Sequence, residues 1–122
     1  MAIFGWLEKR PALAWNLAVL YAGAIFLFSA MPIPPQPPIG FDITKIEHAL
    51  EYFIFAILLI TALRGKNPVG YYPVVLAVLI AALYGISDEV HQFFVPGRCM
   101  SIYDVLADWA GAFIAAFIHK RL

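Results

Sequence analysis

The chain has 122 residues, of which 63% are hydrophobic and only 13% charged. Soluble domains carry about a quarter charged residues, so the composition excludes an ordinary soluble domain and points to a membrane protein. Eight basic and eight acidic residues cancel, which leaves no basic surface for nucleic acid.

No charged side chain occurs between Arg10 and Asp42, or between Lys66 and Asp88. A helix needs about 20 apolar residues to cross the hydrocarbon core, and both runs are long enough. The first predicted helix covers 12–31. Lys9 and Arg10 precede it, but the apolar run is longer than the roughly 7–15 residues of a signal-peptide core, so it reads as a retained helix. "MPIPPQPPIG" then stops it, because proline removes backbone donors and fixes φ. That stretch reads as a stiff connector. The second helix covers 44–63 and ends at "RGKNPVG", which is rich in turn residues. The third covers 71–92. "VPGRCMS" interrupts the chain, and a partial re-entrant turn is expected near Phe93–Met100. The fourth helix covers 101–119. The expected fold is all-α: a single domain, a bundle of four transmembrane helices.

Lys9, Arg10, Arg64, Lys66, Lys120 and Arg121 fall on one side of such a bundle, and only Lys45 and Arg98 on the other. The positive-inside rule puts both termini in the cytoplasm. Trp6, Tyr71 and Tyr72 fit an aromatic belt on that face. Cys99 is the lone cysteine and forms no internal disulfide.

The acids divide unevenly. Glu8 alone is on the inner side, while Asp42, Glu47, Glu51, Asp88, Glu89, Asp104 and Asp108 map to the outer half. A charge at the centre of a membrane helix costs at least about 2.5–3.5 kcal/mol, so such groups face the bundle interior and usually mark a functional site. Spacings of three and four give shared helix faces: His48 with Glu51, Asp88 with His91 and Gln92, Asp104 with Ser101 and Asp108. Glu89 points about 100° away from Asp88 and is expected to face a different neighbour. Gly85 and Gly111 are expected to permit close helix contact.

"KIEHALEYFIFAILL" followed by "SDEVHQFFVPGRCMSIYDVLADWAGAFIA" resembles the VanZ-like family of small bacterial membrane proteins. The residues that carry the likeness are Lys45, His48, Tyr52, Asp88, Glu89, His91, Gln92, Pro96, Gly97, Arg98, Ser101, Asp104 and Gly111. Family members commonly have asparagine where this chain has Asp108, which bears on ligand charge and metal preference. The resemblance implies a multi-pass protein of the bacterial cytoplasmic membrane, linked to low-level resistance to the glycopeptide teicoplanin.

The residues suggest an outer-leaflet pocket closed by helices two, three and four. In an enzyme, His48, Glu51, Asp88, Glu89, His91 and Asp104 would be the acid–base groups. Lys45, Tyr52, Gln92, Arg98, Ser101 and Asp108 would bind substrate, with Arg98 suited to a phosphate or carboxylate. His48, Glu51, His91 and Asp104 are also candidate ligands for a divalent metal, although no standard metal signature is present. Ser101 equally suits a helix N-cap. Expected partners are the lipid bilayer and a lipid-linked envelope precursor or a glycopeptide. Helix one, which carries none of these residues, is left free to pair two copies. Two readings stay open: an enzyme acting on an envelope substrate, and a non-catalytic binder of a glycopeptide, lipid head group or envelope enzyme. A purely structural network and a transporter are the lesser alternatives. Transport is disfavoured because the inner halves of the helices carry no carboxylates for a relay.

Overall fold

The structure, a computed structural model, describes residues 2–31, 43–65, 70–98 and 101–119. The proline connector, Asp42 and Cys99 lie outside the described residues. The all-α expectation holds, and the helices are α1 (Ala2–Glu8), α2 (Pro11–Ala30), α3 (Ile43–Arg64), α4 (Tyr72–Phe93) and α5 (Ile102–Ile118). The short α1 is an addition to the expected set. It ends at Glu8, where Arg10 N–H bonds the Leu7 carbonyl and Pro11 opens α2 at its first turn, a position that costs proline no hydrogen bond.

Three segments are long and apolar enough to cross a membrane: Pro11–Ala30, Thr44–Arg64 and Tyr72–Phe93. The fourth, α5, has 17 residues. Between α4 and α5 the chain turns at Phe94–Arg98, with Gly97 at φ +80°. That left-handed conformation favours glycine. The expected re-entrant segment runs on into residues 99–100, outside the described part.

Helix α3 is the hub and packs against α1, α2, α4 and α5. Its Tyr52, Phe55, Ala56, Ile57, Leu59 and Ile60 form half of the main buried core cluster. The outward faces of α2, α4 and α5 carry exposed Leu20, Phe26, Leu83, Phe93, Phe113 and Phe117, as lipid contact requires. Small residues set the packing distance. The buried stripe of α4 reads Ala77, Ala81, Gly85, and that of α5 reads Gly111, Ala112, Ala115. At Gly111 the α5 backbone rests on α3: an added Cβ would overlap the Ala49 carbonyl and sit 2.9 Å from Phe53 N. The expected close contact at both glycines is thus present, because Gly85 lies against Asp108 and Tyr52.

Both stripes change character along their length. On α4 the same face continues into buried Asp88, Glu89 and Gln92, and on α5 it begins with buried Asp104 and Asp108. The end of α2, the start of α3, the end of α4 and the start of α5 therefore share one polar end of the bundle. The opposite end holds the Glu8–Arg64 ion pair at 3.6 Å.

Candidate functional site

The polar end contains two groups of side chains joined by His48. The first lies between α3, α4 and α5. His48 Nδ1 is 2.8 Å from Asp108 Oδ1, and Asp108 is fully buried. Lys45 Nζ pairs with Asp104 Oδ1. His48 Nε2 stands 3.8 Å from Asp104 Oδ2. Glu89, only 1% exposed, accepts the Ser101 backbone N–H at 3.0 Å through Oε2. Ser101 caps α5, its hydroxyl accepting from Tyr103 N at 3.2 Å. In a capping box the acid three residues on would return to the cap's own N–H. Here Asp104 turns to Lys45 instead, and Glu89 from α4 takes that N–H. The Ser101 hydroxyl has the N-cap role, and no described histidine hydrogen-bonds it.

The second group surrounds a polar cavity of about 340 Å³ lined by Phe28, Ser29, Glu47, His48, Glu51, Asp88, Gln92 and Arg98. Tyr52 OH reaches Asp88 Oδ2 at 3.4 Å from the core side. Among the described residues, no side chain hydrogen-bonds or ion-pairs with the Glu51 carboxylate. Arg98 crosses to the end of α2, with Nε donating to Met31 O and an Nη to Phe28 O, each at 2.7 Å. It thereby satisfies carbonyls that a helix end leaves open, and a cation there suits the helix dipole. A guanidinium has five N–H donors, so the remainder can face the cavity.

His91 is not part of the cavity wall. It stacks on Phe26 of α2, with ring centroids 4.5 Å apart, and its Nδ1 lies 3.0 Å from Ser29 Oγ. The sequence places Glu51, His91 and Asp104 in one constellation, and the structure separates them. Glu51 lines the cavity, His91 faces α2, and Asp104 faces Lys45 and His48. The described His, Asp and Glu side chains that could jointly hold a metal are His48, Glu89 and Asp104. Of the four candidate ligands named from sequence, only His48 and Asp104 converge. Glu51 and His91 sit on the α2 side, and Glu89 takes the third place. Glu89 does face a different neighbour from Asp88, as the 100° offset implies: α5 rather than Tyr52 of α3.

Sequence reasoning missed two wall residues, Phe28 and Ser29, and placed a third, Glu47, in the outer half on the face of Glu51 without giving it a role in the site. It also left α2 without a part in the site, which the structure corrects. Ser29 was visible as one of two plainly polar side chains in the first hydrophobic run, with Asn16. Glu47 was visible as the residue four before Glu51. Nothing in the sequence marked Phe28.

A second, mostly apolar cavity of about 290 Å³ adjoins the first. Tyr21, Ala24, Ile25, Leu50 and Ile54 line it, and Phe28, Glu47 and Glu51 are shared with the polar cavity. It runs between α2 and α3.

The family model for VanZ/LLP1 matches residues 4–122. Comparisons with curated proteins and with solved structures give no match.

Proposed function

The chain belongs to the VanZ/LLP1 family, and we propose that it binds an amphiphilic substrate of the bacterial cell envelope. The head group would sit in the polar cavity and the hydrocarbon part in the apolar one. The observation that carries this reading is the shared wall: one cavity offers charge, the next offers apolar surface, and Phe28, Glu47 and Glu51 belong to both. An amphiphile needs that arrangement; a small soluble solute does not.

The lining narrows the chemistry. Arg98 suits a phosphate or carboxylate. Glu47, Glu51 and Asp88 accept hydrogen bonds and call for hydroxyl or ammonium donors. The substrate class is therefore a lipid-linked head group that carries an anionic group together with such donors. The teicoplanin link implied by the family resemblance fits a protein that binds or alters an envelope amphiphile.

Binding is favoured over turnover. In a serine hydrolase the histidine stands between serine and carboxylate. Here Ser29 bonds His91, and the Asp88 side chain interacts with Ser29, so the serine stands in the middle. His48, oriented by Asp108, remains the acid–base candidate for a hydrolase or transferase reading.

The proposed placement is the cytoplasmic membrane, with α5 as the fourth crossing, both termini inside and the polar end outward. The lysine and arginine distribution supports it.

Native mass spectrometry of the purified protein, released from detergent, tests the reading. The parent should retain an amphiphile at about one per chain. Ala24→Phe, which fills the apolar cavity, and Arg98→Gln, which removes the anion partner, should each release it. Retention unchanged in both variants would sink the proposal.

A further inference from the structure

We infer that His48, Glu89 and Asp104 form a binding site for a divalent transition-metal ion of the zinc class. One ligand atom from each lies within 4.8 Å of the other two. The three residues come from α3, α4 and α5, so the site is built by the packing of the bundle. It does not depend on what the neighbouring cavity takes.

Proximity of acids is not enough, and two independent features point to a cation. First, Glu89 Oε1 is buried and has no hydrogen-bond partner among the described residues, on a residue only 1% exposed. A bare buried acceptor is costly, and a charged one more so; a cation is the partner that a carboxylate oxygen in such a place takes.

Second, His48 is held as metal-binding histidines are held. Its Nδ1 is on the Asp108 carboxylate at 2.8 Å. An ionised carboxylate only accepts, so the proton of that bond belongs to Nδ1. A neutral imidazole then presents the lone pair of Nε2 on its other side. Carboxylate–histidine–metal triads have this form. Nε2 faces Asp104 Oδ2 at 3.8 Å, too far for a hydrogen bond. Ligand atoms about 2.0–2.2 Å from a tetrahedral ion lie roughly 3.4 Å apart, so a small inward shift closes the pair on a metal. Lys45 holds the other oxygen of Asp104 and leaves Oδ2 turned towards His48.

Charge agrees. Glu89, Asp104 and Asp108 bring three negative charges, and Lys45 brings one positive. The carboxylates outnumber the cation, and a bound metal ion offsets the excess in a place where uncompensated charge is expensive. One imidazole and two carboxylates suit zinc, manganese or iron, and three protein ligands leave a coordination position open. His48 also lines the polar cavity, so the ion and the cavity would be neighbours.

The test uses the full chain in detergent, stripped with a chelator, exposed to zinc and desalted. Zinc per chain is read by elemental mass spectrometry, and the melting temperature is read with and without the metal. The parent should retain about one zinc per chain and melt higher with it. Glu89→Gln and Asp104→Asn should fall to background. Asp108→Asn, one step removed, should weaken affinity about 10–100-fold. Glu8→Gln, at the far end of the bundle, should behave as the parent. Cobalt loading adds a readout on the parent alone, which does not depend on any variant folding: the parent should show the visible bands of four-coordinate cobalt. A parent that holds no zinc above buffer overturns the proposal. So does a folded Glu89→Gln that keeps a full equivalent.

Discussion

Gly111 is where the fold can be tested most sharply, because what opposes a side chain there is backbone. Replacing it with alanine puts a Cβ into the Ala49 carbonyl and within 2.9 Å of Ala49 C and Phe53 N. Ordinary carbon contacts need about 3.5–4.0 Å, so relieving the overlap with the Ala49 carbonyl requires α5 and α3 to part locally by on the order of an ångström. Overpacking of this kind costs about 1–3 kcal/mol, occasionally more. Alanine recovers about 1 kcal/mol through its better helix propensity. With backbone on the receiving side the upper part of the range applies, and the net loss should be about 2 kcal/mol. By the scaling for small domains that is a fall of roughly 5–10 °C in Tm. The same shift loosens the His48–Asp108 bond, because both residues sit on the faces being separated. The assay is a thiol-independent thermal melt in detergent. Gly23→Ala is the reference, since nothing lies within 4 Å of a Cβ there, and it should melt at or slightly above the parent. If Gly111→Ala melts with Gly23→Ala, the α3–α5 contact is not as close as described, and the reasoning fails.

Other expectations follow from single bonds. Ser101→Ala removes the α5 cap and should cost about 0.5–2 kcal/mol, while Ser101→Gly or Ser101→Asp should cost less; equal melting of all three would contradict the capping role. Tyr84 donates its hydroxyl to the Ala22 carbonyl across α2 and α4 at 2.5 Å, so Tyr84→Phe should lower stability by about 1 kcal/mol, read in the same melt. Trp109 donates to the Ala82 carbonyl at 3.3 Å, and Trp109→Phe should lose up to about as much, with a larger loss if the indole also seals the α4–α5 seam.

Much of the fold was legible because its signals are one-dimensional. Uncharged runs bounded by lysine, arginine, proline and glycine mark apolar helices whatever their neighbours do. The stripe from Ala77 through Gly85 to Asp88, and the one from Asp104 through Asp108 to Gly111, are periodicities that can be counted. α1 was not legible, since seven residues flanking a basic pair give no period. The site was legible by depth but not by facing. Spacing put Asp88 with His91 on α4, yet a shared helix side spans a wide arc. Asp88 reaches Tyr52, and His91 turns to Phe26 and Ser29. Which neighbour each meets depends on how far the helices approach, and that is fixed by contacts such as Gly111 on Ala49. Glu89 shows the same limit: its offset from Asp88 was countable, its bond to the Ser101 N–H was not.

The central claim is that the buried carboxylates at the polar end are kept for a ligand rather than for packing. Melting Glu51→Gln and Glu89→Gln against the parent, in chelator and without added lipid, tests it most directly. Glu51 has no described hydrogen-bond or ion-pair partner for its carboxylate, and Glu89 has one oxygen bare. A glutamine at position 89 can still accept the Ser101 N–H. Both variants should therefore melt at or above the parent, because each removes an uncompensated charge from a poorly solvated place. If instead both fall by about 3–5 kcal/mol, the loss expected when a partner is taken from a working buried ion pair, the carboxylates are holding the bundle together, and the ligand account is contradicted.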